Sequence, residues 1–208
     1  MKNNDKIIIG LDPSFTRTGI CIINLSKKQI YFETASCKIG EKQFENVVHA
    51  AQSIVRQLQE IFIKYCPNDN YDLIFEAPLP QSSMSPALYS LGTMIYHTFE
   101  SHVRQTYNPA TLRSRIHGRK YDKKDSQELA NKYLENLHKA MYIILSDMGT
   151  KKKIAHDCCE AFLYVHLFLH DNNHHDFQFD NHDEIETYKL RQKELKRREK
   201  LLLQGKEL

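Results

Sequence analysis

Two short segments rich in β-branched residues lie close together near the N-terminus and limit the folds open to this chain. Residues 7–11 and 19–25 are almost wholly apolar, and a polar turn over residues 12–18 separates them. Apolar runs of this length, bounded by turn residues, are typical of buried strands. An alternating segment over residues 29–36 extends the pattern. The chain is therefore predicted to open with three antiparallel strands.

The rest of the periodicity predicts helices and two further strands. Residues 41–65 carry apolar side chains at helical spacing, and this amphipathic helix ends before Pro67. Residues 72–76 form a brief apolar run closed by a carboxylate, which is typical of a buried parallel strand. The other predicted elements are helices over residues 86–103, 125–145 and 154–170, and a strand over residues 104–107. Together they predict an α/β fold with a central mixed five-stranded sheet flanked by helices.

Length and charge restrict the organisation of the protein. The 208 residues are 41% hydrophobic, which favours one domain with a single substantial core. With 29 basic and 26 acidic residues the net charge is +3, so any basic surface must be local. After residue 170 the composition changes to Asp, Asn and His and then to a charged segment. We expect a folded domain over residues 1–170 and a charged tail, helical or flexible, over residues 171–208.

The apolar segments also bear on where the protein resides. The sequence holds no run of about 18 apolar residues, and its polar N-terminus lacks an export signal. We therefore expect a cytoplasmic protein with no membrane association. The 5 cysteines are scattered and include no C-x-x-C pair, so we expect reduced core residues and not a disulfide framework or a zinc ribbon.

A group of histidines and aspartates near the C-terminus raises the question of zinc. The group lacks the regular spacing of zinc ligands and lies in a polar segment, so no zinc site is predicted there. Its members are His170, Asp171, His174, His175, Asp176 and His182.

Acidic residues stand where a site would form in an α/β layer fold. Asp12 directly follows the first predicted strand, and Glu76 closes the fourth. Asp157 and Glu160 are three residues apart on the last helix and so share one face. Because such folds place their sites at the C-terminal ends of central strands, we expect these acids to meet.

Converging carboxylates repel one another, and a hard divalent cation resolves the repulsion. Carboxylates suit Mg²⁺ or Mn²⁺, and two such ions roughly 4 Å apart can promote phosphodiester cleavage. Each acid also has an ordinary explanation: a turn former at Asp12, an exposed strand end at Glu76, and a helix-dipole or ion-pair partner on the last helix. The order of the whole set carries the hypothesis.

A basic stretch over residues 113–124 could neutralise DNA phosphates, with an aromatic side chain available to stack on a base or sugar. The alternative is a solvated basic loop. The candidate DNA-binding residues are Arg113, Arg115, Arg119, Lys120, Tyr121, Lys123 and Lys124.

Three motifs, GLDPSFTRTGICII at 10–23, LIFEAPLP at 73–80 and HDCCEAFLYVHLF at 156–168, resemble the RuvC family of Holliday junction resolvases. The size and composition are closest to phage or mobile-element members. The resemblance covers about residues 7–170 and implies an RNase H-like fold. It matches Gly10 and Gly19 to the glycines of the opening motif. The implied catalytic and metal-binding residues are Asp12, Glu76, Asp157 and Glu160.

The resemblance also implies a substrate, an assembly and a cofactor. Members act as homodimers on branched DNA, nick four-way junctions symmetrically, and leave 5′-phosphate and 3′-hydroxyl ends. Two Mg²⁺ ions per site are implied, with Mn²⁺ able to substitute. A family lysine that approaches the scissile phosphate is matched by Lys124 or Lys123. Such an enzyme would act on DNA in a bacterial or phage-infected cell.

The chain departs from the family pattern in two places. Glu160 stands where the family usually has Asp, which would shift the ion geometry. Ala77 and the residues after it stand where the family often carries an aromatic wedge, and Leu79 or Met84 could take its place. The alternatives that stay open are a non-catalytic junction-binding protein and a nuclease of broader branched-DNA specificity. His156, four residues before Glu160, could orient an acid, assist proton transfer or simply pack in the core.

Overall fold

A six-stranded mixed sheet forms the centre of the protein. The computed structural model describes residues 5–38, 44–77, 86–109, 112, 115, 123–146 and 154–177. The strands are β1 (Ile7–Asp12), β2 (Thr18–Asn24), β3 (Gln29–Ala35), β4 (Asp72–Glu76), β5 (Val103–Tyr107) and β6 (Ile143–Ser146). The helices are α1 (Phe44–Tyr65), α2 (Pro86–Thr98), α3 (Lys123–Lys139) and α4 (His156–Asp171), with short 3₁₀ turns at Glu100–His102 and His175–Phe177.

The strand order across the sheet is β5-β4-β1-β2-β3-β6. The first three strands form an antiparallel meander, while β4 runs parallel to β1 and β5 runs parallel to β4. The mixed α/β fold class expected from the sequence, with its first three strands antiparallel, is therefore confirmed. The expected strand number is wrong, because β6 pairs in parallel with the outer edge of β3 and makes a sixth strand.

The sixth strand comes from a segment that the periodicity assigned to a helix. The helix predicted over residues 125–145 begins at Lys123 and ends at Lys139. Met141 adopts a left-handed backbone conformation with φ 69°, which turns the chain out of the helix. Ile143 then donates a backbone hydrogen bond to the carbonyl of Lys28 at 2.8 Å and starts the strand. This segment, whose local pattern also fits a helix, thus forms a strand because it pairs with the edge of β3.

The helix predicted over residues 86–103 is also shorter than expected. It ends at Thr98, and the 3₁₀ turn that follows leads into β5, which begins at Val103. Val103 pairs with Leu73 of β4 and therefore belongs to the sheet and not to the predicted helix.

Each face of the sheet has its own core. Ile9, Leu11 and Phe75 belong to the core that α1 and α2 cover. Ile8 and Ile74 belong to the core that α3 and α4 cover. Because successive residues of a strand point to opposite faces, the two cores share every central strand.

The packed chain extends beyond the expected domain edge at residue 170. Phe177, in the 3₁₀ turn after α4, is fully buried and contacts Tyr142 and His166. All 5 cysteines are free thiols, and four of them are buried, as expected for a reduced core. Within the described ranges, no helix has the length and apolar character needed to cross a bilayer.

Candidate active site

Two acids lie side by side at the end of the central parallel pair of strands. In the register of β1 with β4, Leu11 is paired with Phe75. Asp12 and Glu76 are the next residues on these strands, and their side chains are hydrogen-bonded to each other. Parallel pairing alone thus brings together two acids that are 64 positions apart in the sequence.

The two glycines of the opening motif let α4 approach the sheet at backbone distance. A Cβ on Gly19 would lie 2.1 Å from the carbonyl carbon and oxygen of Asp157. A Cβ on Gly10 would lie 2.2 Å from the carbonyl oxygen of Ala161. Gly19 is also paired with Asp12 across the β1–β2 ladder. The absence of a side chain at Gly19 therefore places the first acid of α4 beside the acid of β1.

The electrostatics of Asp12 show that all four acids converge. Its carboxylate loses solvation on burial, and this raises the pKa of Asp12 well above the usual aspartate range. The negative charges of Glu76, Glu160 and Asp157 raise the pKa of that group further, as does the hydrogen bond with Glu76. Asp12 is therefore the centre of the acid cluster, and its ionised form is the one that the site destabilises.

A different neighbour holds each of the three surrounding acids. Arg17 Nε lies 2.5 Å from Asp157 Oδ2, and this guanidinium is about half exposed. The hydroxyl of Ser126 on α3 donates a buried hydrogen bond to Glu160 Oε1.

Tyr164 completes this set of contacts. Its hydroxyl lies 3.3 Å from Glu76 Oε2 and donates to it. The Tyr164 ring also stacks on Tyr107 of β5, with ring planes inclined by 15°. These contacts orient three acids, two of them on α4 and one on β4.

The turn that carries Arg17 is closed by a polar residue of β2. Thr18 donates its hydroxyl hydrogen to the carbonyl of Ser14 at 2.7 Å and accepts the amide hydrogen of Ser14 at 3.1 Å. Thr18 is fully buried, and the two bonds are partly buried. The turn after Asp12 is thereby held with Arg17 directed towards Asp157.

His156 lies among the acids. Its Nε2 is 3.5 Å from Glu160 Oε1, and its Nδ1 is 3.6 Å from Asp157 Oδ1. Both nitrogens are buried, and neither makes a hydrogen bond within the described part of the chain. His156 therefore lies next to both acids of α4.

The donor set fits a hard divalent cation. It consists of carboxylates from β1, β4 and α4, and Arg17 brings one positive charge to their edge. Within the described chain, however, no three of these acids have ligand atoms that all lie within 4.8 Å of one another. Holding an ion would therefore draw the side chains inward. The repulsion that raises the pKa of Asp12 would be relieved by that charge.

The candidate DNA-binding residues are only partly within the described chain. Arg115 forms a bidentate ion pair with Asp171 at the end of α4, with Nη1 2.6 Å from Oδ2, and keeps 40% of its side chain exposed. Lys123 and Lys124 lie in the first turn of α3, which begins two residues earlier than the helix predicted over residues 125–145. Outside the described residues lie Arg113, Arg119, Lys120 and Tyr121, together with Leu79 and Met84.

Sequence reasoning missed the three residues that hold the acids. Tyr164 had a signal, because it is four residues after Glu160 and therefore on the same face of α4. Ser126 had no signal in the sequence; it lies three residues after the start of α3 and faces the site. Arg17 lies in the turn after Asp12. Its positive charge alone did not indicate which acid it would pair with.

Comparisons with known proteins give a distant likeness in fold. No protein-family model matches the sequence, and no curated protein matches it. The RuvC structure of Thermus thermophilus is similar with 13% sequence identity and a TM-score of 0.49, over 80% of this chain and 96% of that chain. T. thermophilus RuvC in complex with Holliday junction substrate gives 13% identity and a TM-score of 0.48, over 81% and 96% of the two chains. At this identity the likeness concerns the arrangement of elements and carries no conclusion about activity.

Proposed function

We propose that this chain is a metal-dependent, structure-selective endodeoxyribonuclease. On this proposal it resolves four-way DNA junctions by symmetric paired nicks that leave 5′-phosphate and 3′-hydroxyl ends. The observation that carries the proposal is the convergence of Asp12, Glu76, Asp157 and Glu160 from three separate elements. Four acids held together at the ends of central strands raise the free energy of the folded protein unless they bind a cation, so their presence argues for a function.

The four acids would hold Mg²⁺, with Mn²⁺ able to substitute. Such ions, when bound, activate a water molecule and stabilise the leaving oxygen of a phosphodiester. The chain's own contribution is orientation. Ser126 keeps Glu160 directed to the site, and Tyr164 does the same for Glu76. Arg17 brings a half-exposed positive charge to the edge of the cluster, where a DNA phosphate would approach.

Glu160 has a longer side chain than the aspartate usual in the RuvC family, and its surroundings suit that length. The side chain is almost fully buried, and Ser126 holds its end. A carboxylate fixed by a buried hydrogen bond loses less conformational freedom when an ion binds. This argues that Glu160 can serve as a ligand in place of the shorter residue.

The proposal extends to a homodimer acting on branched DNA in the cytoplasm of a bacterial or phage-infected cell. A four-way junction has approximate twofold symmetry, and two symmetric nicks require two active sites in matching orientation. The basic residues between 113 and 124 would supply phosphate contacts, a contribution that weakens as salt rises.

The test is cleavage of an end-labelled four-way junction and a matched linear duplex, in Mg²⁺, in Mn²⁺ and in EDTA. We expect paired nicks in the junction that EDTA abolishes. Asp12→Asn and Asp157→Asn should reduce cleavage by at least about a hundredfold while the protein still binds the junction. Asp69→Asn is the matched control, because that side chain is 81% exposed and removed from the cluster.

Each contrary result has a distinct meaning. Normal cleavage by both active-site variants would remove those residues from the chemistry. Equal cleavage of the linear duplex would contradict structure selectivity and favour a broader nuclease. Tight junction binding without cleavage in either metal would favour the non-catalytic alternative.

A further inference from the structure

The opposite end of α4 carries a second group of metal-ligating side chains. His174, His175 and Asp176 each offer one ligand atom, and these atoms all lie within 4.8 Å of one another. The group is separated from Glu160 by most of α4, which at about 1.5 Å per residue amounts to roughly 16 Å between Glu160 and Asp171. It is therefore a cluster in its own right and not an extension of the acidic site.

The turn after α4 brings these consecutive residues together. Asn173 adopts a left-handed conformation with φ 56°, which reverses the chain at the helix end. The backbone amide of His174 then donates to the carbonyl of Leu169 at 2.9 Å. The backbone amide of Phe177 donates to the carbonyl of His174 at 3.0 Å. The backbone of the cluster is thus hydrogen-bonded on both sides before any ligand binds.

We propose that His174, His175 and Asp176 form a binding site for a transition-metal ion of the zinc class. Two imidazoles and one carboxylate are ligands that Zn²⁺ accepts in tetrahedral sites, with water in the fourth position. The same set suits Co²⁺ and Ni²⁺ and is poorly suited to Mg²⁺, which prefers oxygen ligands in octahedral geometry. The ligand chemistry therefore separates this site from the cluster around Asp12.

Neighbouring side chains orient two of the three ligands. The hydroxyl of Tyr142 donates to Asp176 Oδ2 at 3.2 Å, and that carboxylate keeps only 13% of its side chain exposed. The ring of His174 packs edge-on against buried Phe177, with 5.3 Å between centroids. Hydrogen bonds to ligating carboxylates and packing around ligating imidazoles are typical of metal sites. The side chain of His175 is 85% exposed, so an ion could reach the site from solvent on this side.

Lys28 makes a specific prediction possible. Its Nζ lies 3.7 Å from Asp176 Oδ2 and also donates to the carbonyl of Ala140 at 3.1 Å. The ammonium group supplies the positive charge that a bound ion would otherwise supply, so the two compete for one carboxylate. Replacing Lys28 with a neutral residue of similar length should therefore tighten metal binding.

The sequence alone argued against zinc here because the histidines follow no regular ligand spacing. Regular spacing is required when ligands come from a helix or from two knuckles, since their side chains must return to one side. Here the ligand atoms of three consecutive residues all lie within 4.8 Å of one another at the start of the 3₁₀ turn, without any regular spacing in the sequence. The spacing argument therefore does not apply to this cluster.

The test is calorimetric titration of the full-length chain with Zn²⁺, and optical titration with Co²⁺, at neutral pH in the presence of excess Mg²⁺. We expect His175→Ala and Asp176→Asn each to weaken binding by at least about tenfold. His97→Ala is the matched control, since it removes another exposed histidine and should bind like the original protein. Lys28→Met should bind more tightly. Bound Zn²⁺ should raise the Tm of the original protein and not that of His175→Ala.

Two results would overturn the proposal. Equal Zn²⁺ affinity in His175→Ala and the original protein would show an adventitious ion only. Loss of Zn²⁺ binding in Asp12→Asn, with no loss in Asp176→Asn, would assign the ion to the acidic cluster instead. Circular dichroism of each variant checks that the fold is retained, and Lys28→Met gives a change of opposite sign that misfolding would not produce.

Discussion

The two faces of the central sheet are built from the same strands but differ in what they tolerate. The face towards α1 carries large apolar side chains such as Ile9, Leu11 and Ile22. On the face towards α4, Gly10 and Asp12 alternate with those residues along β1, and Gly19 does so along β2. One face is filled by side chains, and the other is kept open so that a helix backbone and several acids can come close.

The difference indicates that one face of the sheet mainly stabilises the fold, whereas the other carries the candidate active site. Apolar side chains on the α1 face remove hydrocarbon from water and stabilise the fold. The α4 face brings Asp12 into a cluster of like charges, which raises the free energy of the folded state. Variants on one face at a time can test whether stability and metal binding depend on different faces.

The largest expected effect belongs to the α1 face. Leu58 of α1 is fully buried, so Leu58→Ala leaves a cavity and should lower the free energy of unfolding by about 3–5 kcal/mol. Mg²⁺ affinity should be unchanged at temperatures where the variant is folded. Urea denaturation and metal titration measure the two quantities. Ile63→Ala, which removes a 68% exposed side chain of the same helix, is the control and should have little effect. A large loss of Mg²⁺ affinity in Leu58→Ala would show that the faces are coupled.

The next effect concerns the approach of α4. Gly19→Ala places a methyl group where the Asp157 backbone lies, so α4 must shift, and we expect a loss of roughly 2–3 kcal/mol together with loss of Mg²⁺ binding. Ile20→Val, one residue on and facing α1, should cost about 1 kcal/mol and retain Mg²⁺ binding. Denaturation and titration of both variants give the comparison. Unchanged Mg²⁺ affinity in Gly19→Ala would mean that the close approach does not position Asp157.

A smaller effect is expected at the contact between α3 and α4. Ser126→Ala removes the buried donor to Glu160 and should destabilise the protein by about 1–2 kcal/mol and weaken Mg²⁺ binding. Ser53→Ala removes a hydroxyl on α1 that is remote from the acids and serves as the control. If both variants bind Mg²⁺ like the original protein, Ser126 has only a packing role.

The smallest effect has the opposite sign. The pKa of Asp12 is raised in the folded protein, so the native state holds the proton more tightly and stability falls as pH rises above the unfolded value of about 4. Asp12→Asn should therefore be more stable by about 1 kcal/mol at neutral pH in EDTA. The advantage should disappear below about pH 4, where Asp12 is protonated in both states. Denaturation across this pH range checks the sign, and a variant less stable at neutral pH would contradict it.

Much of the fold could be predicted because its signals are local. The apolar runs of β1, β2 and β4 and the apolar stripe of α1 each specify an element without reference to the rest of the chain. The segment that became β6 could not be assigned this way. Its apolar residues fit a helix as well as a strand, and the free edge of β3 decided between them.

The sequence could predict which acids form the candidate site, but not which other side chains contact them. Asp12 and Glu76 stand at strand ends in the sequence, and the α/β pattern implies that such ends meet. Which neutral groups hold the acids depends on contacts between distant elements, such as that of Ser126 with Glu160. No local pattern encodes these contacts.

The sequence by itself determined the alternation that divides the sheet into two faces, because side chains of a strand have a period of two. It likewise determined that Gly10 and Asp12 share a face, as do Asp157 and Glu160 on their helix. Only the tertiary structure decided that these faces meet, that Arg17 pairs with Asp157, and that the turn after α4 gathers His174, His175 and Asp176. The reason is physical: periodicity is a property of one element, whereas a site depends on distances between elements that packing alone sets.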